Sequence, residues 1–334
     1  MTVYCQVEAN QKNNTTTTTW RGIELVHVPV AGNGALSTIV FDFKSIRHSL
    51  RSEGIILTLG YNTAIFNIMH RLKKRINIIN MDGIEWRREK WSRIAKMWFW
   101  FNERLACWIA NHLIADHPAI KEHLATRIAR KKISMIPYGA PEVTTADESC
   151  LDQLGLVPGG FSILIARPEP ENSILEIVRA FSVKSRNHLL VVLGNYDPER
   201  NNYHYKVKSA ASDEVIFLGA IYEKRILDSL RFYCRLYIHG HKVGGTNPSL
   251  VEALGANCSI LAHNNQFNRW VAGEAAHYFD DEEDCSRKLE SLLHYKKSAE
   301  ESRSYQTRFR KFFAWNKVLS QYDELLRTWH GRSV

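Results

Sequence analysis

The pattern that most constrains this chain is an alternation of short, nearly continuous apolar runs with longer amphipathic stretches. The runs are Ile23–Val28, Ile55–Leu59, Ile76–Asn80, His112–Asp116 and Ile133–Pro137, then Ser162–Ala166, His188–Leu193, Glu214–Leu218, Arg235–His239 and Cys258–Ala262. Between them lie Ser37–Arg51, Ile174–Lys184 and Ile226–Tyr233, each with helical spacing of apolar residues. A strand that is apolar along its whole length needs both faces covered, and an intervening helix supplies the cover. The pattern therefore predicts α/β architecture with two parallel sheets. Pro141, Pro158, Gly159, Gly160 and the polar run Thr144–Ser149 place the break between them near Ala140–Gly160. The threonines at 15–19, with Asn13 and Asn14, read as a polar surface loop. A final helical region, Ser298–Trp329, carries Tyr305, Phe309, Phe312, Phe313, Trp315 and Tyr322, too apolar a set for a free tail.

Length agrees with two domains, since 334 residues is about twice a common domain size. No uncharged apolar run reaches the ~18 residues of a membrane-crossing helix, and Met1–Asn14 lacks the basic and apolar regions of a signal peptide. The six cysteines are scattered without CxxC spacing, which predicts reduced thiols rather than a disulfide framework or a zinc site. The balance of 44 basic and 35 acidic residues gives +9. Such a charge suits an anionic partner, whether phosphate, nucleic acid or lipid surface, and equally suits plain solubility.

Three stretches at strand ends carry candidate chemistry. The richest runs from His239 to Glu252. Thr246 or Asn247 can cap the following helix, with Pro248 in its first turn. Gly244 and Gly245 let backbone amides approach a ligand, and the free N–H groups and dipole of a helix start attract anions. Ser249 lies in that first turn, and Glu252 one turn further on, where it can accept hydrogen bonds from sugar hydroxyls. His239 and His241 share a face of an extended segment, suited to polar ligand contacts. A capped helix after a tight turn would produce the same residues without any ligand. The second stretch, Ile165 to Asn172, puts Arg167 where a guanidinium can grip a diphosphate, or else pair with Glu169 or Glu171. In the third, Asn80 to Trp91, Asp82 and Glu85 flank a glycine turn, as a base or a hydroxyl-binding carboxylate would, or as an acidic helix start would. The basic and aromatic run after it, Arg87 to Trp108, suits a lipid headgroup interface, stacked nucleic acid or a core helix with a solvated face.

Taken together, Asp82-Gly83-x-Glu85-Trp86-x-Arg88-x-Lys90-Trp91, Pro137-Tyr138-Gly139, Pro170-Glu171-Asn172, the His239–Ala253 stretch, Phe267-Asn268-Arg269 and Trp315 resemble retaining glycosyltransferases of family 4. The chain is most similar to their rhamnosyltransferase-type branch, used in bacterial capsule and O-antigen polysaccharide assembly. The resemblance, from about Val3 to Tyr322, implies a GT-B fold: two Rossmann-like domains facing across a cleft. It implies an acceptor-side domain over 1–145, a nucleotide-sugar domain over 146–304, and a segment over 305–334 crossing back to the first. By position, Arg167 holds the donor diphosphate, and Glu252 matches the second glutamate of the family's E-x7-E element, which binds ribose. Gly244 stands where the first glutamate would be. Donor contacts then fall to Gly244, Gly245, Thr246, Asn247 and Ser249, with Asn172, His239 and His241 nearby. Asp82 or Glu85 orients or deprotonates the acceptor hydroxyl, with Arg167 stabilising the leaving group; the catalytic set is Asp82, Glu85 and Arg167.

The implied donor is dTDP-rhamnose, with no cofactor and no metal required. The implied acceptor is a lipid-diphosphate-linked saccharide, and the implied place is cytoplasmic, peripheral on the inner face of the plasma membrane. Nucleic acid is not an expected partner, because no recognition motif accompanies the charge. Two departures stand out. Trp270 replaces the branch's usual glutamate. Met1–Cys5 looks like the family's second strand, so its opening strand, glycine-rich loop and next helix are expected to be missing, leaving unpaired strand edges and an open core. An alternative expectation follows: a truncated, catalytically impaired relative serving as a non-catalytic partner or remnant.

Overall fold

The computed structural model describes residues 1–9, 14–32 and 34–331. Asn13 of the expected polar loop lies outside them. The second half forms one six-stranded sheet from β8 (Phe161–Ile165), β9 (Leu189–Leu193), β10 (Val215–Gly219), β11 (Leu236–His239), β12 (Ile260–His263) and β13 (His277–Phe279). Its order is β10-β9-β8-β11-β12-β13, all parallel, the doubly wound arrangement with the order reversing beside β8. Alternation sets the two faces. Ile163, Val191, Leu193, Tyr237 and Ile260 point to one core, shared with Leu230, Leu250, Tyr305 and Phe309 from the helices over it. Leu164, Leu190, Val192, Ile238 and Leu261 point to the other, against Ile177, Phe181, Val207 and Leu289. Continuous apolar runs thus became strands buried on both sides, as the pattern predicts.

The first half differs. Strands β4 (Ile56–Leu59), β5 (Asn77–Asn80), β6 (His112–Ala115) and β7 (Ile133–Met135) make a four-stranded parallel sheet. A separate three-stranded sheet holds β1 (Thr2–Glu8), β2 (Thr16–Trp20) and β3 (Ile23–Val30) in the order β1-β3-β2. Residues Thr16–Thr19 are therefore a strand and not a loop. They pair antiparallel with Glu24–His27 through the two-residue turn Arg21-Gly22, both at positive φ (48° and 78°), a twist that suits a tight hairpin. Among the described residues β1 and β4 each have one strand partner, so each leaves an open edge. Among the described residues, side chains tie the two sheets together through the Ala35–Ser49 helix. Thr63 Oγ1 donates to Asp42 Oδ2 at 2.6 Å, Ser49 Oγ lies 2.8 Å from His70 Nε2, and Phe43 meets Phe66 edge-on at 5.3 Å. Val3, Val7, Leu57 and Leu59 are exposed along the open edges of β1 and β4.

The region expected as one crossing segment over 305–334 is two helices. Ala299–Phe312 buries Tyr305 and Phe309 in the second domain. The chain turns at Phe313–Ala314, where Ala140 N donates to Phe313 O and Ala140 bridges Ala314. Only Trp315–His330 then lies on the first domain, packing Val318, Tyr322, Leu325 and Trp329 over Ile78, Ile114 and Ile136. That helix is the cover the first sheet needs on its second face.

Two predictions follow from this packing. In β4, Ile56 N and Gly60 N point at β5, so the alternating Leu57 and Leu59 amides face the open edge. By the same alternation Ala9 N, which reaches Val30 O, leaves Tyr4 and Gln6 on the open side of β1. Hydrogen exchange should find these four amides far less protected than those of β8, and equal protection would refute the open edge. The second concerns acid. Burial pushes His70 and His117 down to about 4 and His239 well below the ordinary imidazole range. Unfolding releases them to titrate near 6.5, so the unfolded chain binds more protons below that pH. Stability is then fully present above pH 6.5. It falls as pH drops toward 4, by on the order of 1.4 kcal/mol per pH unit for each histidine. Denaturant midpoints measured across that range should drop steeply.

Candidate active site

A cleft of about 620 Å³ opens between the two sheets, at the carboxyl ends of β5, β6, β8 and β11. Its second-domain wall starts at Arg167, just past β8. Among the described residues its guanidinium has no carboxylate partner, and Glu171 pairs with Arg88 instead. The loop that carries Arg167 is pinned by Asn172, whose Nδ2 donates to Arg167 O at 2.8 Å. Asn172 is buried and its backbone presses on Gly240, where a Cβ would lie 2.1 Å from the Asn172 carbonyl. Asn172 thus shapes the site through the main chain as well as lining it.

Beyond β11 the chain turns through Gly244, at φ 139°, into the Pro248–Gly255 helix. Asn247 is the cap, its side chain accepting from Ser249 N at 3.2 Å, with Pro248 in the first turn. Gly244, Gly245, Thr246, Asn247 and Ser249 all line the cleft. His241 lines it too, held neutral near 3 by burial and then by the charges of Arg167 and Arg88. The Arg167 guanidinium and the helix start make this wall the natural seat of an anion.

His239 does not reach the cleft. It is completely buried beneath His241, the rings stacked 4.3 Å apart, because it ends β11 inside the sheet. Glu252 lies outside the cleft lining and is committed to the buried guanidinium of Arg231. Among the described residues, no group of three His, Cys, Asp or Glu side chains could hold a metal ion.

Asp82 lines the first-domain wall. It sits at φ 31°, a sparsely populated conformation for a residue other than glycine, held by Asn80 Oδ1 accepting from its N–H at 3.2 Å. Tyr138 OH donates to Asp82 Oδ1 at 2.6 Å. Glu85 is placed differently from expectation. Its Oε1 pairs with Arg88 Nε at 2.9 Å and its Oε2 accepts from Trp91 Nε1 at 3.2 Å, so both oxygens are occupied away from the cleft. Glu85 aims Arg88, which crosses to Glu171 Oε1 at 3.1 Å and ties the two domains together.

The sequence reading missed Asp116, which ends the β6 run. It is 2% exposed, its Oδ2 accepts from Thr246 N of the opposite domain at 2.8 Å, and its carbonyl accepts from Thr246 Oγ1. Burial pushes its carboxyl up to about 7, with the Thr246 amide working against that and Asp82 adding to it. A carboxylate closing an apolar strand was the available signal, because ligands of open α/β sheets meet the carboxyl ends of strands. Trp270 is not in the cleft. It fills an interdomain aromatic cluster, 4.8 Å from His117 and 5.3 Å from Phe313.

Residues 1–141 match a family model described as a domain of unknown function, DUF1972. No curated protein matches the sequence. Solved structures are similar at low identity. Sucrose-phosphate synthase from Thermosynechococcus elongatus superimposes with a TM-score of 0.80 at 13% identity, covering 99% of this chain and 89% of that one. HepE from Anabaena, in complex with UDP and glucose, gives 0.75 at 15%, covering 92% and 86%. A UDP-forming α,α-trehalose-phosphate synthase from Burkholderia vietnamiensis gives 0.75 at 9%, covering 98% and 94%. The chain therefore has the fold of the GT-B glycosyltransferases, two Rossmann-like domains facing across a cleft.

Proposed function

We propose that this chain is a retaining glycosyltransferase of the family 4 type, moving a sugar from a nucleotide diphosphate to a lipid-linked saccharide. The observation that carries the reading is Arg167, a guanidinium that among the described residues has no carboxylate partner, on the same cleft wall as the Gly244–Asn247 amides. HepE, of like fold, has been seen with UDP-glucose. In this reading the diphosphate lies between Arg167 and the helix start at Pro248, which stabilise the charge that grows as the sugar departs. They take that load without calling on a metal ion or other cofactor. Attack from the same face, through an oxocarbenium-like state, retains configuration. Asp82 receives or orients the acceptor hydroxyl, with Tyr138 fixing its carboxylate. The donor is dTDP-rhamnose, by resemblance of the sequence to the rhamnosyl branch of capsule and O-antigen assembly. A non-catalytic role is the second reading, favoured by the open edges of β1 and β4.

Turnover assays with dTDP-rhamnose and a lipid-diphosphate saccharide separate the two. Arg167→Ala should lower turnover roughly 100-fold or more. Asp82→Ala should lower it with nucleotide binding unchanged. If the wild-type chain binds nucleotide sugars yet transfers none, the non-catalytic reading takes over.

The acceptor side also carries a surface for lipid. Along the Arg93–Ile109 helix, Ile94, Met97, Phe101 and Trp108 share one face and are exposed, Ile94 by 81% and Trp108 by 75%. Arg87, Lys90, Arg93, Lys96 and Arg104 lie on or just before this helix, with Arg104 over the Trp100 ring at 3.5 Å. Inward residues are committed: Trp98 Nε1 donates to Asn62 O and Trp86 Nε1 to Glu103 Oε2. We infer that this face rests on anionic lipid at the cytoplasmic side of the plasma membrane. Flotation should find the chain on vesicles containing phosphatidylglycerol but not on neutral ones. Met97→Glu with Trp108→Glu should release it, as should high salt.

A further inference from the structure

Asp116 has one oxygen accounted for and one not. Oδ2 accepts from Thr246 N at 2.8 Å, while Oδ1 is buried and has no hydrogen-bond partner among the described residues. A buried acceptor left unpaired is costly, so such an atom usually awaits a donor that a ligand or water supplies. The opposite domain is shaped around this carboxylate. A Cβ on Gly245 would lie 2.1 Å from Oδ2 and 2.4 Å from Oδ1, so the glycine leaves a recess of carboxylate size. Gly83, in the turn after Asp82, also reaches Gly245, with its Cβ position 4.0 Å from Gly245 N.

Asp116 lines the cleft together with Asp82 and Tyr138 of its own domain and Arg167 and His241 of the other. On the same wall Asp82 Oδ1 accepts a hydrogen bond from Tyr138 OH. In a nucleotide sugar the reacting anomeric carbon is bonded to the diphosphate itself, so a diphosphate on the Arg167 wall puts the ring, whose exposed groups are hydroxyl donors, in the same cleft that Asp116 lines.

We propose that Asp116 reads the donor sugar, with Oδ2 holding the Gly245–Thr246 turn in place and Oδ1 accepting a hydrogen bond from a sugar hydroxyl. The carboxylate thereby makes seating of the sugar and contact between the domains one event. This inference rests on the nucleotide-sugar reading above.

Calorimetry on the full chain tests it with two ligand pairs, dTDP with dTDP-rhamnose and UDP with UDP-glucose. Asp116→Asn keeps an acceptor for Thr246 N and turns the free oxygen into a donor. The expected result is nucleotide affinity within about twofold of wild type, and nucleotide-sugar affinity reduced about tenfold or more, so that the gain from the sugar disappears. Nucleotide sugars lacking one ring hydroxyl at a time, bound to the wild-type chain, should lose the same gain for one analogue and carry the test alone if Asp116→Asn fails to fold; equal affinity for all analogues overturns the proposal. A variant that folds and keeps the wild-type gain overturns the role of Asp116 and leaves the nucleotide-sugar reading intact. A wild-type chain that binds none of the four ligands overturns both.

Discussion

The seat of the Val243–Asn247 turn on the strand ends of the opposite domain is the contact on which the site depends. It needs a glycine at 245, because the Asp116 carboxylate occupies the space of a side chain. It needs Thr246, whose N–H and hydroxyl both reach Asp116. With this turn in place, the amides before the Pro248–Gly255 helix face Asp82 and Tyr138 across a narrow gap. Arg88 repeats the linkage nearby by reaching Glu171, and Trp270 packs edge-on against His117 of the first domain. Three separate contacts, charged, hydrogen-bonded and apolar, thus fix one cleft.

The returning Trp315–His330 helix joins stability to the site. It covers Ile78 and Ile114, the faces of β5 and β6 away from the Arg93–Ile109 helix, and its Tyr322 OH accepts from Asn80 Nδ2 at 3.1 Å. Asn80 in turn steadies the strained Asp82 backbone. Loosening the last helix would therefore disturb a carboxylate in the cleft without touching it.

Most of the fold was legible because a strand buried on both faces must be apolar throughout. β2 escaped because its threonines are polar, and because Arg21-Gly22 is a less familiar pair for a tight hairpin turn than Asn-Gly. The division at Ala314 escaped because neither proline nor glycine marks it. The anion wall was legible for a similar reason, since Gly244, Gly245, Asn247 and Pro248 have local roles at a helix start. His239 and Glu85 were misplaced because side-chain direction is set by distant partners, the sheet around His239 and the Arg88 and Trp91 groups around Glu85. Asp116 was hidden as the last residue of an apolar run. Its meaning depends on Thr246, 130 positions away.

The charge of +9 acquires locations in the structure. Part of it faces the cleft as Arg167 and Arg88, and part lies along the Arg93–Ile109 helix beside its exposed apolar face. The most direct test of the donor site is a crystal structure of the full chain with dTDP or UDP. The account predicts the diphosphate within hydrogen-bonding distance of the Arg167 guanidinium and the Gly245–Asn247 amides. A nucleotide bound elsewhere, with Arg167 still free, would contradict it.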